Sequence, residues 1–214
     1  MIVDHTNKFY AEKRRKQKRG NKYNGAYYYS KDIVKNIIPL VETDRNWITV
    51  RLPEAGEAHN HSLVFIHNNR NPNYYRYLKE YTDVVAVCSQ PQTAANLKFF
   101  TDKVIYLPLS VDVAQVTKYK TVVKDKLIGF AGREDKINNQ IPSYADKLTN
   151  LPRSKLLKEM ARYYTIYAVG RTAIEAKILG CSIEAYDPYY PNTDIWKILD
   201  NRDAAKMLQS ELYN

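Results

Sequence analysis

Cysteine and long apolar runs are both scarce in this chain. Its 214 residues include only two cysteines, Cys88 and Cys181, which give neither a disulfide framework nor the spacing of a zinc site. We expect each to be a small buried apolar side chain at the edge of a strand. No apolar run approaches the roughly 20 residues that cross a bilayer, and the first residues lack the apolar core of a signal peptide. The sequence therefore predicts a cytoplasmic protein without a membrane span.

Histidine is also sparse, and its pattern does not favour a metal. The chain has four histidines, among them His59 and His61 in the letters "HNH" and His67 further on. Zinc requires more ligands at a better spacing, and three letters carry little specificity for an HNH nuclease. We expect neither a metal nor another cofactor at the functional site.

Acidic residues are few at the amino end, where the positive charge is concentrated. The formal net charge is +10, and residues 1–31 hold nine Lys or Arg against Asp4 and Glu12, a net +7. Aromatic residues lie among these cations, a combination that contacts phosphates and bases. A solvated arm that only keeps the protein soluble fits the same composition. The candidate contacts to DNA or another polyanion are Arg14, Arg15, Lys16, Lys18, Arg19 and Lys22.

After this arm, strands and helices alternate along the chain. Short apolar runs such as "SLVFI" and "DVVAVCS" predict buried parallel strands, whereas "SKDIVKNIIPLV", with Ser30 as its N-cap, predicts a helix. Pro91 is placed in the first turn of another helix, and Gly180 is predicted to cap the helix before it. The alternation is typical of an α/β fold.

We predict two Rossmann-like, doubly wound domains that face a cleft, where a ligand would bind. The basic Tyr-rich arm covers 1–29, and an acceptor-side domain covers 30–116. A nucleotide-sugar-binding domain covers 117–214 and includes the C-terminal helix.

The order of three motifs resembles that of the GT-B glycosyltransferases with glycogen-synthase-like donor sites. "VIYLPLSVDV" is similar to the passage between the family's two domains, and Pro108, Val111 and Asp112 match it. "LIGFAGREDK" resembles the first strand of the donor domain, and "GRTAIEAKILGCSIEAYD" resembles the donor-binding helix and the next strand. Tyr167 departs from the pattern, because it stands where the family often has the first of two glutamates.

The resemblance implies an unusually small glycosyltransferase whose substrate is a nucleotide-diphosphate sugar. The start of a helix after Gly170 suits a phosphate, and Glu175 would accept hydrogen bonds from ribose hydroxyls. A second set of cations, only three positions apart, would stabilise the departing nucleotide, and His67 would contact substrate or act as a base. The implied catalytic residues are His67, Arg133 and Lys136, and the implied donor-binding residues are Gly132, Arg133, Lys136, Gly170, Arg171, Thr172 and Glu175.

Structural interpretations of the same residues stay open. Gly170 would then only form a tight turn, Thr172 would cap a helix, and Glu175 would be a solvent-facing helix residue. His67 would bond to backbone at a strand end, and the cations at 133 and 136 would be surface residues.

The positive arm favours an anionic acceptor, either DNA or a cell-envelope polymer, as in a phage-encoded enzyme that acts in the host cytoplasm. The alternative function is a non-catalytic nucleotide- and nucleic-acid-binding module on a reduced fold. A sugar-nucleotide epimerase is a weaker third interpretation, because no clear set of acid–base residues is present.

Overall fold

The fold consists of parallel sheets flanked by helices. The structure is a computed structural model, which describes residues 1–4, 25–50, 59–66, 72–132 and 141–214. In these residues it contains a five-stranded and a four-stranded sheet, and all strand pairs are parallel. The predicted α/β class is therefore confirmed. Among the helices that the structure describes, none is both long and apolar enough to cross a membrane.

The first sheet is built on short runs of β-branched and other apolar residues. Two of its interior strands, Ser62–Ile66 and Val84–Cys88, are buried along their whole length, as expected for strands covered on both faces. Two helices pack on one face of this sheet, a 3₁₀ helix (Pro72–Glu80) and helix α2 (Pro91–Leu97). Their residues Tyr75, Leu78 and Leu97 join the core. The strands lie in chain order: β1 (Ile2–Asp4), β2 (Trp47–Val50), β3 (Ser62–Ile66), β4 (Val84–Cys88) and β5 (Lys103–Tyr106), and α2 spans Pro91–Leu97.

The first helix begins earlier than the sequence predicts. Helix α1 spans Gly25–Asp32 and continues through a π-helical segment, Ile33–Ile37, and a 3₁₀ turn, Ile38–Leu40. Ser30 is buried inside α1 rather than at its start, so the predicted N-cap is wrong. The preceding tyrosines extend the helix, although turn-type residues such as Gly25 lie at its beginning. Pro91, in contrast, lies in the first turn of α2 as predicted.

The second sheet reverses its strand order. Strand β7 (Asp146–Lys147) lies on one side of β6 (Lys126–Phe130), whereas β8 (Tyr163–Tyr167) and β9 (Ser182–Glu184) follow on the other side. This reversal is the feature that defines a doubly wound sheet, and the described strands of the first sheet do not show it. The elements are α3 (Val113–Thr117), β6 (Lys126–Phe130), β7 (Asp146–Lys147), α4 (Arg153–Met160), β8 (Tyr163–Tyr167), α5 (Arg171–Ile178) and β9 (Ser182–Glu184).

The chain forms two compact units whose limits differ from the predicted domains. The first contains residues 1–4, Ala26–Pro108 and Asn201–Asn214, and the second contains Leu109–Asp200. The last helix, α6 (Asn201–Tyr213), therefore belongs to the first unit, where it contacts the Ile33–Ile37 segment and β5. Residues Ile2–Asp4, which the prediction placed in the arm, instead pair with β2. The predicted arrangement around a cleft stays a prediction.

Candidate functional site

The carboxyl ends of β6 and β8 form the candidate site in the second unit. In open α/β sheets, ligands bind beyond the carboxyl ends of the strands at the point where strand order reverses. That point lies between β6 and β8, and the Ala131 N–H donates to the Tyr167 carbonyl at 3.0 Å just beyond the paired strands. Gly132 follows β6 and Gly170 follows β8, so two predicted donor-binding glycines lie at the same edge.

Gly170 allows the chain to turn from β8 into α5. Its φ is +64° and its ψ is −140°, a region that residues with a Cβ rarely adopt. An added Cβ would find space, since its nearest atom would be Leu109 Cδ1 at 3.7 Å. Backbone conformation, rather than crowding, therefore requires glycine here. The turn brings the amino end of α5 to the carboxyl edge of the sheet.

Gly132 is required for a different reason. A Cβ at this position would lie 2.5 Å from Tyr186 Oη and 2.6 Å from Phe130 Cε2. Tyr186 is buried and packs edge-on against Phe130, with ring centroids 4.9 Å apart. At Gly132 the space beside the backbone is therefore occupied by a tyrosine of the protein itself.

Glu175 joins two arginines in a buried ion cluster. Arg171 Nε donates to Glu175 Oε1 at 2.6 Å, and Arg153 Nη1 lies 2.6 Å from the same oxygen. The side chains of Arg171 and Glu175 are 3% and 2% exposed, and that of Arg153 is 14% exposed. Glu175 is therefore not the solvent-facing residue of the structural interpretation. Its oxygen Oε1 binds two guanidinium groups. The predicted role for Glu175 was to bind ribose hydroxyls.

The two arginines of this cluster stand at the starts of two helices. Arg153 is the first residue of α4 and Arg171 is the first residue of α5, so the positive ends of both helix dipoles lie near the guanidinium groups. The three side chains of the cluster sum to a formal charge of +1, which the buried carboxylate of Asp187 at the same edge offsets. Sequence reasoning missed Arg153, because a separation of 22 residues from Glu175 leaves no local pattern that pairs them.

Other residues at this edge have less specific roles. Thr172, in the first turn of α5, is half-buried. Tyr167 is half-buried, and burial raises the pKa of its phenol, which is therefore neutral near pH 7. Asp187 is buried and accepts the Tyr189 N–H at 3.1 Å. This bond shows that Asp187 closes a turn.

The remaining predicted site residues lie outside the described residues. They are His67, Arg133 and Lys136, together with the arm residues Arg14, Arg15, Lys16, Lys18, Arg19 and Lys22. Their roles stay predictions.

The two histidines of "HNH" lie at the amino ends of strands in the first sheet. His59 stacks on Trp47 with centroids 3.9 Å apart, and His61 precedes β3 at its amino end. His61 Nδ1 lies 2.5 Å from Asp83 Oδ2, and Arg45 Nη1 lies 2.5 Å from Asp83 Oδ1. In the part of the chain that the structure describes, no group of three His, Cys, Asp or Glu residues is placed to hold a metal ion.

Comparison of the chain with protein-family models, curated proteins and solved structures gives no match, so its function has to be argued from the site.

Proposed function

We propose that the protein is a glycosyltransferase that moves a sugar from a nucleotide-sugar donor, whose diphosphate binds at the carboxyl ends of β6 and β8. The observation that carries the proposal is the reversal of strand order between these strands, at the segments that resemble a donor site. The motif order around Pro108, Gly132 and Gly170 adds to it. The acceptor would be anionic, DNA or an envelope polymer.

The helix start and the guanidinium groups at the site support an anionic ligand. A diphosphate would meet the amino end of α5, the Thr172 hydroxyl and the positive field of Arg153 and Arg171. In this proposal Glu175 does not serve primarily as a ribose acceptor. It fixes the two guanidinium groups, whose charges would otherwise repel each other.

The proposed reaction breaks the bond between the sugar's anomeric carbon and the diphosphate oxygen. The acceptor hydroxyl attacks this carbon and loses its proton, while the nucleoside diphosphate leaves with an additional negative charge. Arg133 and Lys136 are proposed to stabilise that charge, and His67 is proposed to receive the proton.

Turnover of nucleotide sugars tests the proposal. Incubation with UDP-, GDP-, ADP- and dTDP-glucose, followed by chromatography of the nucleotides, is expected to show slow release of one nucleoside diphosphate even without the acceptor. Arg133→Ala or Lys136→Ala is expected to slow the release roughly a hundredfold. The matched control is Arg162→Ala. Arg162 forms an ion pair with Asp125, which lies at the amino end of β6 and not at the carboxyl end where the site is proposed. Absence of release from all four donors, or equal release by every variant, would contradict the proposal.

A non-catalytic nucleotide- and nucleic-acid-binding module is the second candidate function. The neutral Tyr167 favours it, because this phenol replaces a glutamate of the resembled family. Tight binding of a nucleoside diphosphate without any turnover would distinguish this candidate from an enzyme.

The contact between the basic arm and nucleic acid needs a test that leaves the fold intact. Truncation is unsuitable, since β1 pairs with β2 in the first sheet. Substitution of Gln for the six arm cations is expected to weaken DNA binding and to reduce its salt dependence, because each lost phosphate contact lowers the slope by roughly 0.9. Unchanged binding and slope would exclude the arm as the contact.

A further inference from the structure

The carboxyl end of β4, in the first unit, carries polar side chains that the protein does not satisfy. Ser89 Oγ, Gln90 Oε1 and Thr93 Oγ1 are buried, and these atoms have no hydrogen-bond partner in the structure. Ser89 is 4% exposed and Thr93 is 1% exposed. Three unsatisfied oxygens therefore occur within five consecutive residues.

Local structure offers these side chains bonds that they do not make. Gln90 is the N-cap of α2, and Thr93 lies in the first turn of this helix. The Gln90 side chain nevertheless makes no capping bond, and the Thr93 hydroxyl does not bond to the preceding turn, which is its usual partner in a helix. A buried polar atom without a partner destabilises the folded state, so a group from outside the chain would relieve this cost.

The chemistry of the segment indicates what that group is. None of Ser89, Gln90 and Thr93 carries a charge, and burial raises the pKa of the adjacent Cys88 thiol to about 11, so that it also stays neutral. Hydroxyl groups and an amide oxygen recognise partners that donate and accept hydrogen bonds. The segment has no cationic side chain to balance an anion, which favours a neutral ligand.

We propose that Ser89, Gln90 and Thr93 form a binding site for a neutral polyhydroxylated ligand, namely a sugar ring. The site lies beyond the carboxyl end of a parallel strand, where α/β proteins bind their ligands. The three oxygens are shielded from solvent, so the proposed binding requires that neighbouring side chains change rotamer. The inference is independent of the proposed nucleotide site, since the two sites lie in different units.

Two other unsatisfied hydroxyls provide matched controls. Thr49 Oγ1 lies within β2 and Ser62 Oγ lies at the start of β3. Each of these hydroxyls stands alone within a strand. The proposed site, in contrast, has a group of three oxygens beyond the carboxyl end of a strand. Thr49→Val and Ser62→Ala therefore remove the same chemical groups as Thr93→Val and Ser89→Ala, but away from the proposed site.

The experiment is an NMR titration of the full chain with glucose, galactose, mannose and N-acetylglucosamine, each into the millimolar range. Saturable shifts are expected with at least one sugar, with binding weakened roughly tenfold by Thr93→Val and by Ser89→Ala and unchanged by the two controls. Thermal unfolding of all four variants shows that each is folded. No saturable binding, or equal binding by all variants, would overturn the proposal. Buried water would then be the remaining hydrogen-bond partner for these oxygens.

Discussion

At the scale of single residues, Glu175 shows how burial decides the role of a charge. The sequence pattern allowed either a ligand contact or a solvent-facing position, and the structure instead gives a carboxylate 2% exposed between two guanidinium groups. The i, i+4 spacing to Arg171 could have suggested this pairing. The contribution of Arg153 depends on the tertiary fold and could not have been predicted.

Glu175→Ala is expected to lower the free energy of unfolding by about 3–5 kcal/mol, because it leaves two arginine charges without their buried partner. Urea denaturation measures this loss. Asp203→Ala is the control, since Asp203 and Lys206 form an exposed helical pair, and its loss should stay below about 1 kcal/mol. Similar losses in both variants would show that the Glu175 cluster is not a buried ion cluster in solution.

The neighbours of His61 favour its protonated form. Nδ1 faces the Asp83 carboxylate and Nε2 faces the Asp44 carbonyl at 3.1 Å, so both ring nitrogens face acceptors. The bond to Asp83 raises the pKa of His61, and the bonds from Arg45 and His61 lower the pKa of Asp83. His61 and Asp83 also have positive φ values of 55° and 54°, which adds local strain that the cluster offsets.

The stabilisation by His61 is expected to depend on pH. Because its folded pKa is raised, its contribution is fully present below the ordinary value of about 6.5 and is lost as pH rises through the folded pKa. Because the folded pKa of Asp83 is lowered, its contribution is present above about 4 and is lost as pH falls through the folded pKa. Unfolding of wild type and His61→Asn across this range should differ most between about pH 4 and 6.5.

Asp83→Asn checks the cause of this pH dependence. NMR titration should show the pKa of His61 returning toward its ordinary value in this variant. A difference between wild type and His61→Asn that does not change with pH would contradict the account.

At the scale of elements, one lysine connects the ends of two helices. Lys124 Nζ donates to the carbonyl oxygens of Ala161 at 3.0 Å and Leu179 at 3.3 Å, which end α4 and α5, and to that of Tyr163 at 2.8 Å. A cation is favourable at these negative helix ends. No local sequence pattern around Lys124 indicates these contacts.

Lys124→Met is expected to destabilise the second unit by about 1.5–3 kcal/mol, because charged hydrogen bonds to three carbonyl groups are lost. Thermal or urea unfolding measures the change. Lys118→Met changes an exposed lysine of the same stretch and should have little effect. If both variants unfold alike, the Lys124 contacts do not form in solution.

A helix end or strand could be predicted from the sequence where its own residues form a recognisable local pattern. Gly180 has a φ of 80°, its N–H donates to Lys177, and Cys181 donates to Ala176, which together form the Schellman motif expected of a capping glycine. Strand β7, in contrast, consists of Asp146 and Lys147 alone, both exposed. Such a strand is specified by its neighbour β6 rather than by its own pattern, so the sequence could not have revealed it.

At the scale of the whole molecule, the sequence predicted the fold class but not the distribution of elements between the units. The amphipathic pattern of α6 shows that one face is buried, as Ala204, Ala205 and Leu208 are, but it does not show which sheet covers that face. Strand order has the same limitation. The shared edge of Gly132 and Gly170 followed from strand alternation, whereas the ion cluster beside it depends on how α4 and α5 pack.

The most direct test of the proposed function is a calorimetric titration of UDP, GDP, ADP and dTDP into the wild type, Thr172→Val and Thr165→Val. Thr172 lies in the first turn of α5, whereas Thr165 is a half-buried residue in the middle of β8. The account predicts that one diphosphate binds, that Thr172→Val weakens its affinity at least roughly tenfold through the loss of a charged hydrogen bond, and that Thr165→Val binds like the wild type. If no diphosphate binds, or if all three proteins bind it equally, the β6 and β8 strand ends are not the nucleotide site.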